Sequence, residues 1–91
     1  MKFRITRHAS ASPPANALDL LTSSIGTRRD GVHFARVGAE IRADLRRDDP
    51  VAMTNDERID IGRRAVLEII GQVCERTPEL ETDWFAVSPA D

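Results

Sequence analysis

Residues 2–7 (Lys-Phe-Arg-Ile-Thr-Arg) alternate polar and apolar, with Phe3 and Ile5 on one side and Arg4 and Thr6 on the other. This period of two predicts a half-buried strand with a solvent-facing polar side. Ser10 to Pro14 break it. Ser12-Pro13-Pro14 offers an N-cap followed by a first-turn proline, with Asn16 as the competing cap. Leu18, Leu21 and Ile25 then recur at helical spacing, and Gly26 suits the position just past a helix end, so a helix is expected over 12–25.

Asp30-Gly31 reads as a turn or an N-cap, and two patterns compete beyond it. Val32, Phe34 and Arg36 fit one face of a short strand, whereas Phe34, Val37, Ile41 and Leu45, spaced 3, 4 and 4 apart, fit a helical stripe. The helix accounts for more residues and predicts 31–47, ended by Asp48-Asp49-Pro50. Thr54-Asn55-Asp56-Glu57 carries the Thr-x-x-Glu capping box, with acids in the first turn where the helix dipole favours them. Ile59, Val66, Ile70 and Val73 follow on one face, widened by Leu67, Ile69 and Cys74, and Asp60, Arg64 and Glu68 form an i, i+4 charge ladder opposite. Thr77-Pro78 closes this helix over 54–76, a span of roughly 33 Å. Asp83-Trp84-Phe85-Ala86-Val87 reads as a closing strand over 83–87 that pairs with residues 2–7. The expectation is therefore an α+β fold, mostly helical. It has three helices (12–25, 31–47, 54–76), short terminal strands (2–7, 83–87) and a single small domain over 1–91.

Composition narrows the classes. A chain of 91 residues is too short for a TIM barrel or a full dinucleotide-binding fold. One cysteine excludes an internal disulfide, and Cys74 reads as a small core residue. No apolar run approaches the ~18 residues needed to cross a bilayer, and no secretory or lipidation signal is readable. The expected setting is cytoplasmic, without a membrane partner.

The net charge of −2 conceals a sorted pattern: residues 1–47 carry nine basic residues against four acids, and residues 48–91 carry four against eleven. Twelve of the thirteen basic residues are arginine. The sharpest concentration is Arg28, Arg29, Arg36, Arg42, Arg46 and Arg47. Guanidinium forks suit phosphate, which makes this set the candidate binding region for an anion or a partner. On a helix, Glu40 and Asp44 would pair with Arg36 and Arg47, and the basic helix would pack beside the acidic one, each neutralising the other. No aromatic is interleaved for base stacking.

Arg63 falls by helical phase inside the apolar stripe, without an i±4 acid, and Ile61 falls on the polar face. Both mark a candidate interface, as do Trp84 and Phe85 if they are exposed anchors and not core. The wide apolar arc of 54–76 predicts self-association, most simply as a two-fold homodimer.

Arg7-His8-Ala9-Ser10, at the end of a predicted strand, resembles the Arg-His-Ala/Gly signature of the histidine phosphatase superfamily. That resemblance implies a phosphate-holding Arg7 and a nucleophilic His8. The family needs a second histidine. Here only His33 remains, in Gly-Val-His-Phe-Ala, which departs from the second motif. His8, His33 and Cys74 lack metal-ligand spacing, so no metal and no cofactor is expected. No other catalytic constellation is readable. The residues point first to a non-catalytic protein-interaction module (an adaptor, inhibitor or regulatory subunit) with an unidentified protein partner. The alternative is a nucleic-acid or phosphate-ligand binder using residues 28–47.

Overall fold

The computed structural model describes residues 1–46 and 53–90. Its elements are β1 (Lys2–Arg7), α1 (Ala17–Ile25), β2 (Arg28–Arg29), β3 (Val32–Val37), β4 (Glu40–Leu45), α2 (Asn55–Glu75) and β5 (Phe85–Pro89), with 3-10 turns at Ala9–Ala11 and Thr82–Trp84. The five strands form one antiparallel sheet in the order β2-β3-β4-β1-β5. Because β4 is antiparallel to both β1 and β3, those two run parallel with β4 inserted between them. Setting β2 aside, this is the split β-α-β connectivity, run as β-α-β-β-α-β.

The helix expected over 31–47 is absent. In its place a β-hairpin spans β3 and β4, so the described chain has two helices and is not mostly helical. Two turns explain the difference. Asp30 and Gly31 both have positive φ (49° and 80°), as a type I′ hairpin turn requires, and join β2 to β3. Gly38, at φ 59°, takes the first corner of a second two-residue turn, and Val37 pairs with Glu40. On both strands of this hairpin the period is two: Val32, Phe34, Ile41, Ala43 and Leu45 are buried. Val37, which completed the helical stripe, is 51% exposed.

The remaining elements lie near their expected places. β1 pairs with β5 as the alternation suggested, although β5 is shifted to 85–89 by the 3-10 turn before it. α1 begins later than expected. Ala9–Ala11 form a 3-10 turn, Ser12 is left-handed at φ 47°, and Asn16, not Ser12, occupies the N-cap. α2 matches its expectation closely, with the Thr54 side chain accepting a hydrogen bond from the Glu57 amide at 3.2 Å.

Both helices cover the same face of the sheet. Phe3 and Ile5 on β1 are fully buried and meet Leu21 and Ile25 of α1 and Val66 and Ile70 of α2. The wide arc of α2 is used within the chain, since Ile59, Ala65, Leu67 and Cys74 all pack against this core. The apolar surface that suggested a dimer is therefore largely covered by the chain's own sheet and α1.

α2 reaches β1 through a glycine. A Cβ on Gly62 would lie 2.8 Å from Phe3 Cε2 and 2.7 Å from Met1 Sδ, whereas Gly71 on the same helix has nothing within 4 Å. Alanine is intrinsically favoured over glycine in a helix by about 1 kcal/mol. Gly71→Ala should therefore raise stability by up to about 1 kcal/mol. Gly62→Ala should lower it by roughly 1 kcal/mol or more, because overpacking against the immobile Phe3 ring outweighs the propensity gain. Paired urea denaturation curves check this. Equal shifts for the two variants would contradict the close approach of α2 to β1.

Candidate functional site: the uncovered face of the sheet

Alternation that buries Phe3 and Ile5 sends Lys2, Arg4 and Thr6 to the opposite face. The ladders extend that face in rows. Arg28 lies opposite His33, His33 opposite Asp44, and Asp44 opposite Lys2. In the next row Ala35 lies opposite Arg42, Arg42 opposite Arg4, and Arg4 opposite Ser88. No described helix covers this side. Among the described residues it carries Lys2, Arg4, Arg28 and Arg42 against Glu40 and Asp44, with the His33 imidazole but no Phe, Tyr or Trp.

Arg4 and Arg42 face each other directly, an arrangement of like charges that is unfavourable on a sheet. Glu40 relieves it. Its Oε2 lies 2.6 Å from Arg42 Nε and 3.9 Å from Arg4 Nε. These three atoms are closed off from solvent, and none makes a well-aligned hydrogen bond. Two guanidiniums share one carboxylate, so the centre of the face keeps an excess positive charge.

The arginines singled out from sequence divide into two groups. Arg29 and Arg36 serve the fold. Arg29 donates through Nε and Nη2 to the carbonyls of Ile25 and Ser24, both at 3.3 Å, satisfying acceptors at the C-terminal end of α1. Arg36 bonds Asp19 at 2.6 Å and the Gly38 carbonyl at 2.8 Å, tying α1 to the β3–β4 turn. Arg28, Arg42 and Arg46 instead converge on the uncovered face and its end. Arg47 lies outside the described residues. Lys2 and Arg4 were not among the sequence candidates, although the alternation of 2–7 already placed Arg4 on the polar side.

Two cavities run along this face. One of about 240 Å³ is lined by Lys2, His33, Ala35, Arg42, Ala43 and Asp44. The other, about 420 Å³, is lined by Thr27, Arg28, Gly31, His33, Asp44 and Arg46. His33 and Asp44 line both, so the two lie side by side. On the helix side a cleft of about 370 Å³ sets Asp30 and Glu68 against Arg46, with no surplus of positive charge. Among the described residues the expected neutralisation of 28–47 by the acidic helix is not found. Among the described residues, Arg36 pairs with Asp19 and Arg42 with Glu40, and no ion pair of this region reaches α2. Of the Asp60–Arg64–Glu68 ladder, the Arg64–Asp60 pair forms, at 3.0 Å.

The other candidates fall elsewhere. Phe85 is buried at 4% exposure, Trp84 is half-buried against the core, and Ile61 is half-buried on α2. Arg63 reaches across to β5, where its Nε donates to the Val87 carbonyl at 2.9 Å. Ala90 and Trp84 exchange their backbone bonds with Lys2 and His8, so the intervening Val87 turns its own groups away from β1, off the edge of the sheet. Arg63 thus occupies the open carbonyl of an edge strand, and Pro89, lacking an amide proton, removes a donor beside it.

The phosphatase-like pair is not assembled. Arg7 donates to the Pro13 carbonyl at 2.6 Å. His8 follows the last residue of β1, whereas His33 sits in the row of Lys2 at its other end, about 20 Å away by strand rise. No group of three potential metal-binding side chains occurs among the described residues. Comparison with known protein families, characterised sequences and solved structures gives no match.

Cys74 packs against the core, and burial pushes its thiol pKa up, with a Thr82 hydrogen bond pulling the other way. Less thiolate is present at pH 8, so alkylation of Cys74 by iodoacetamide should be slower than that of an unstructured thiol, with the gap narrowing as pH rises. Equal rates at pH 8 would contradict the burial. For Arg63→Ala, the lost hydrogen bond should lower stability by about 1 kcal/mol and speed amide exchange at Ala86 and Ser88, the β5 residues bonded to β1. Unchanged exchange there would show that Arg63 does not hold the edge.

Proposed function

We propose that this protein is a non-catalytic protein-interaction module that seats an acidic segment of a partner protein on its uncovered sheet face. The observation that carries the reading is the make-up of that face: Lys2, Arg4, Arg28 and Arg42 against Glu40 and Asp44, on a surface both helices leave open. Cations held by strands present a fixed charge pattern, which favours fast association and selection of a complementary partner. The face carries no Phe, Tyr or Trp, and the single imidazole of His33 falls short of the series of rings on which successive single-stranded bases stack. A protein carboxylate matches the Arg4–Glu40–Arg42 cluster better, because two guanidiniums there share a single carboxylate and leave one positive charge in excess. No helix among the described residues is long and apolar enough to cross a membrane. The proposal includes a cytoplasmic setting, in keeping with the single unpaired thiol of Cys74.

Fluorescence anisotropy with a labelled Glu-Gly repeat peptide and a labelled single-stranded oligonucleotide, read across a salt series, tests the proposal. The peptide should bind at low salt, and Arg28→Glu combined with Lys2→Glu should weaken it at least about tenfold. Tighter binding of the oligonucleotide than of the peptide would overturn the reading in favour of nucleic acid. Binding of the peptide undiminished by the two charge reversals would remove the sheet face as its site.

A further inference from the structure

We infer that the end of the uncovered face, between Arg28 and Arg46, is a subsite for a phosphorylated side chain of the partner. This inference rests on the reading of the face as a docking surface for an acidic protein segment. The starting observation is how the described arginines of residues 1–46 are employed. Arg4, Arg7, Arg29, Arg36 and Arg42 each engage a carbonyl or a carboxylate of the chain. Among the described residues, the side chains of Arg28 and Arg46 engage neither. Both line the cavity of about 420 Å³ at the β2–β3 end, together with Thr27, Gly31, His33 and Asp44.

The lining decides the ligand class. It contains no apolar side chain, so it lacks the apolar residues that would seat a hydrophobic group. Two guanidiniums, an imidazole and a hydroxyl supply donors for several oxygens, and the planar forks of arginine match phosphate in paired hydrogen bonds. Asp44 is the one anion in the lining. Lys2 stands opposite it on β1, so its charge is offset on the side away from Arg28. A carboxylate carries a single charge and two oxygens, whereas a phosphate monoester carries nearly two charges and three oxygens. The paired, otherwise unengaged arginines correspond to the second. The smaller cavity beside Arg42 adjoins this one at His33 and Asp44, so one extended segment lying across the face would place a carboxylate at Arg4 and Arg42 and a phosphate between Arg28 and Arg46.

The test compares two peptides of the same Glu-Gly sequence, one with a central serine and one with phosphoserine, by calorimetry on the full chain. Phosphorylation should tighten binding at least about tenfold. The double variant Arg28→Ala, Arg46→Ala should lose that gain while still binding the serine peptide. Its amide spectrum confirms the fold independently of binding. Inorganic phosphate alone should shift the amide signals of Thr27, His33 and Arg46. Equal affinity for the two peptides, a gain that survives in the double variant, or phosphate-induced shifts confined to other residues would each overturn the subsite while leaving the broader docking face intact. Failure of both peptides to bind would overturn the two together.

Discussion

The structure depends on β1 holding the centre of the sheet. This strand is six residues long and pairs on one side with β4 and on the other with β5, each distant in sequence. Its two inward side chains, Phe3 and Ile5, have no exposure at all. Every larger arrangement follows from that position. β4 is fixed antiparallel to β1, which brings β3 parallel to β1 and obliges α1 to cross over one face. Gly62 then lets α2 descend onto the Phe3 ring, and the helix brings β5 to the remaining edge of β1. With both helices committed to one face, the other stays open.

That openness gives the charge distribution its meaning. Arginines in the first half of the chain are divided by the direction of their strand or loop. Those turned toward the helices or the chain ends complete the fold: Arg29 satisfies the end of α1, Arg36 fastens α1 to the hairpin, and Arg7 binds the loop after β1. Those on the even positions of β1, β2 and β4 share a surface with too few carboxylates to neutralise them. Glu40 holds Arg4 and Arg42 side by side at the centre, so two guanidiniums share one carboxylate there. Arg63 belongs to neither group. It occupies an open carbonyl on the backbone edge of β5, where an unpaired strand edge would otherwise be exposed.

Much of this architecture is legible in the sequence. The capping box at Thr54, the stripe of α2, the alternation of β1 and its pairing with the C-terminal strand all follow from local spacing. Residues 31–45 mislead because two periods coincide there. Phe34, Ile41 and Leu45 are buried under either description; of that helical stripe Val37 is the member that differs, being buried in a helix and exposed at a hairpin turn. The decisive local signal is the pair Asp30-Gly31, since a two-residue turn with both φ angles positive demands such residues. Once the hairpin is recognised, the face follows by counting in twos. Arg28 and Arg42 fall beside Lys2 and Arg4, whereas helical counting set Arg42 beside Arg46 and left Arg4 out. Cross-strand neighbours such as His33 and Asp44 have no sequence signature, because nothing local announces the register that joins them.

The central claim, that residues 32–45 form a hairpin docked on β1 with an open face, is tested most directly by proton–proton contacts in solution. The register makes Phe34–Ala43, Arg4–Arg42 and Ile5–Val87 non-hydrogen-bonded pairs, in which the Cα atoms approach to about 4.5 Å and their α-protons nearly touch. A nuclear Overhauser spectrum should show strong α-proton contacts for all three pairs. A continuous run of amide–amide and i, i+3 contacts from Val32 to Leu45, with those three cross-peaks missing, would contradict the sheet and the face built on it.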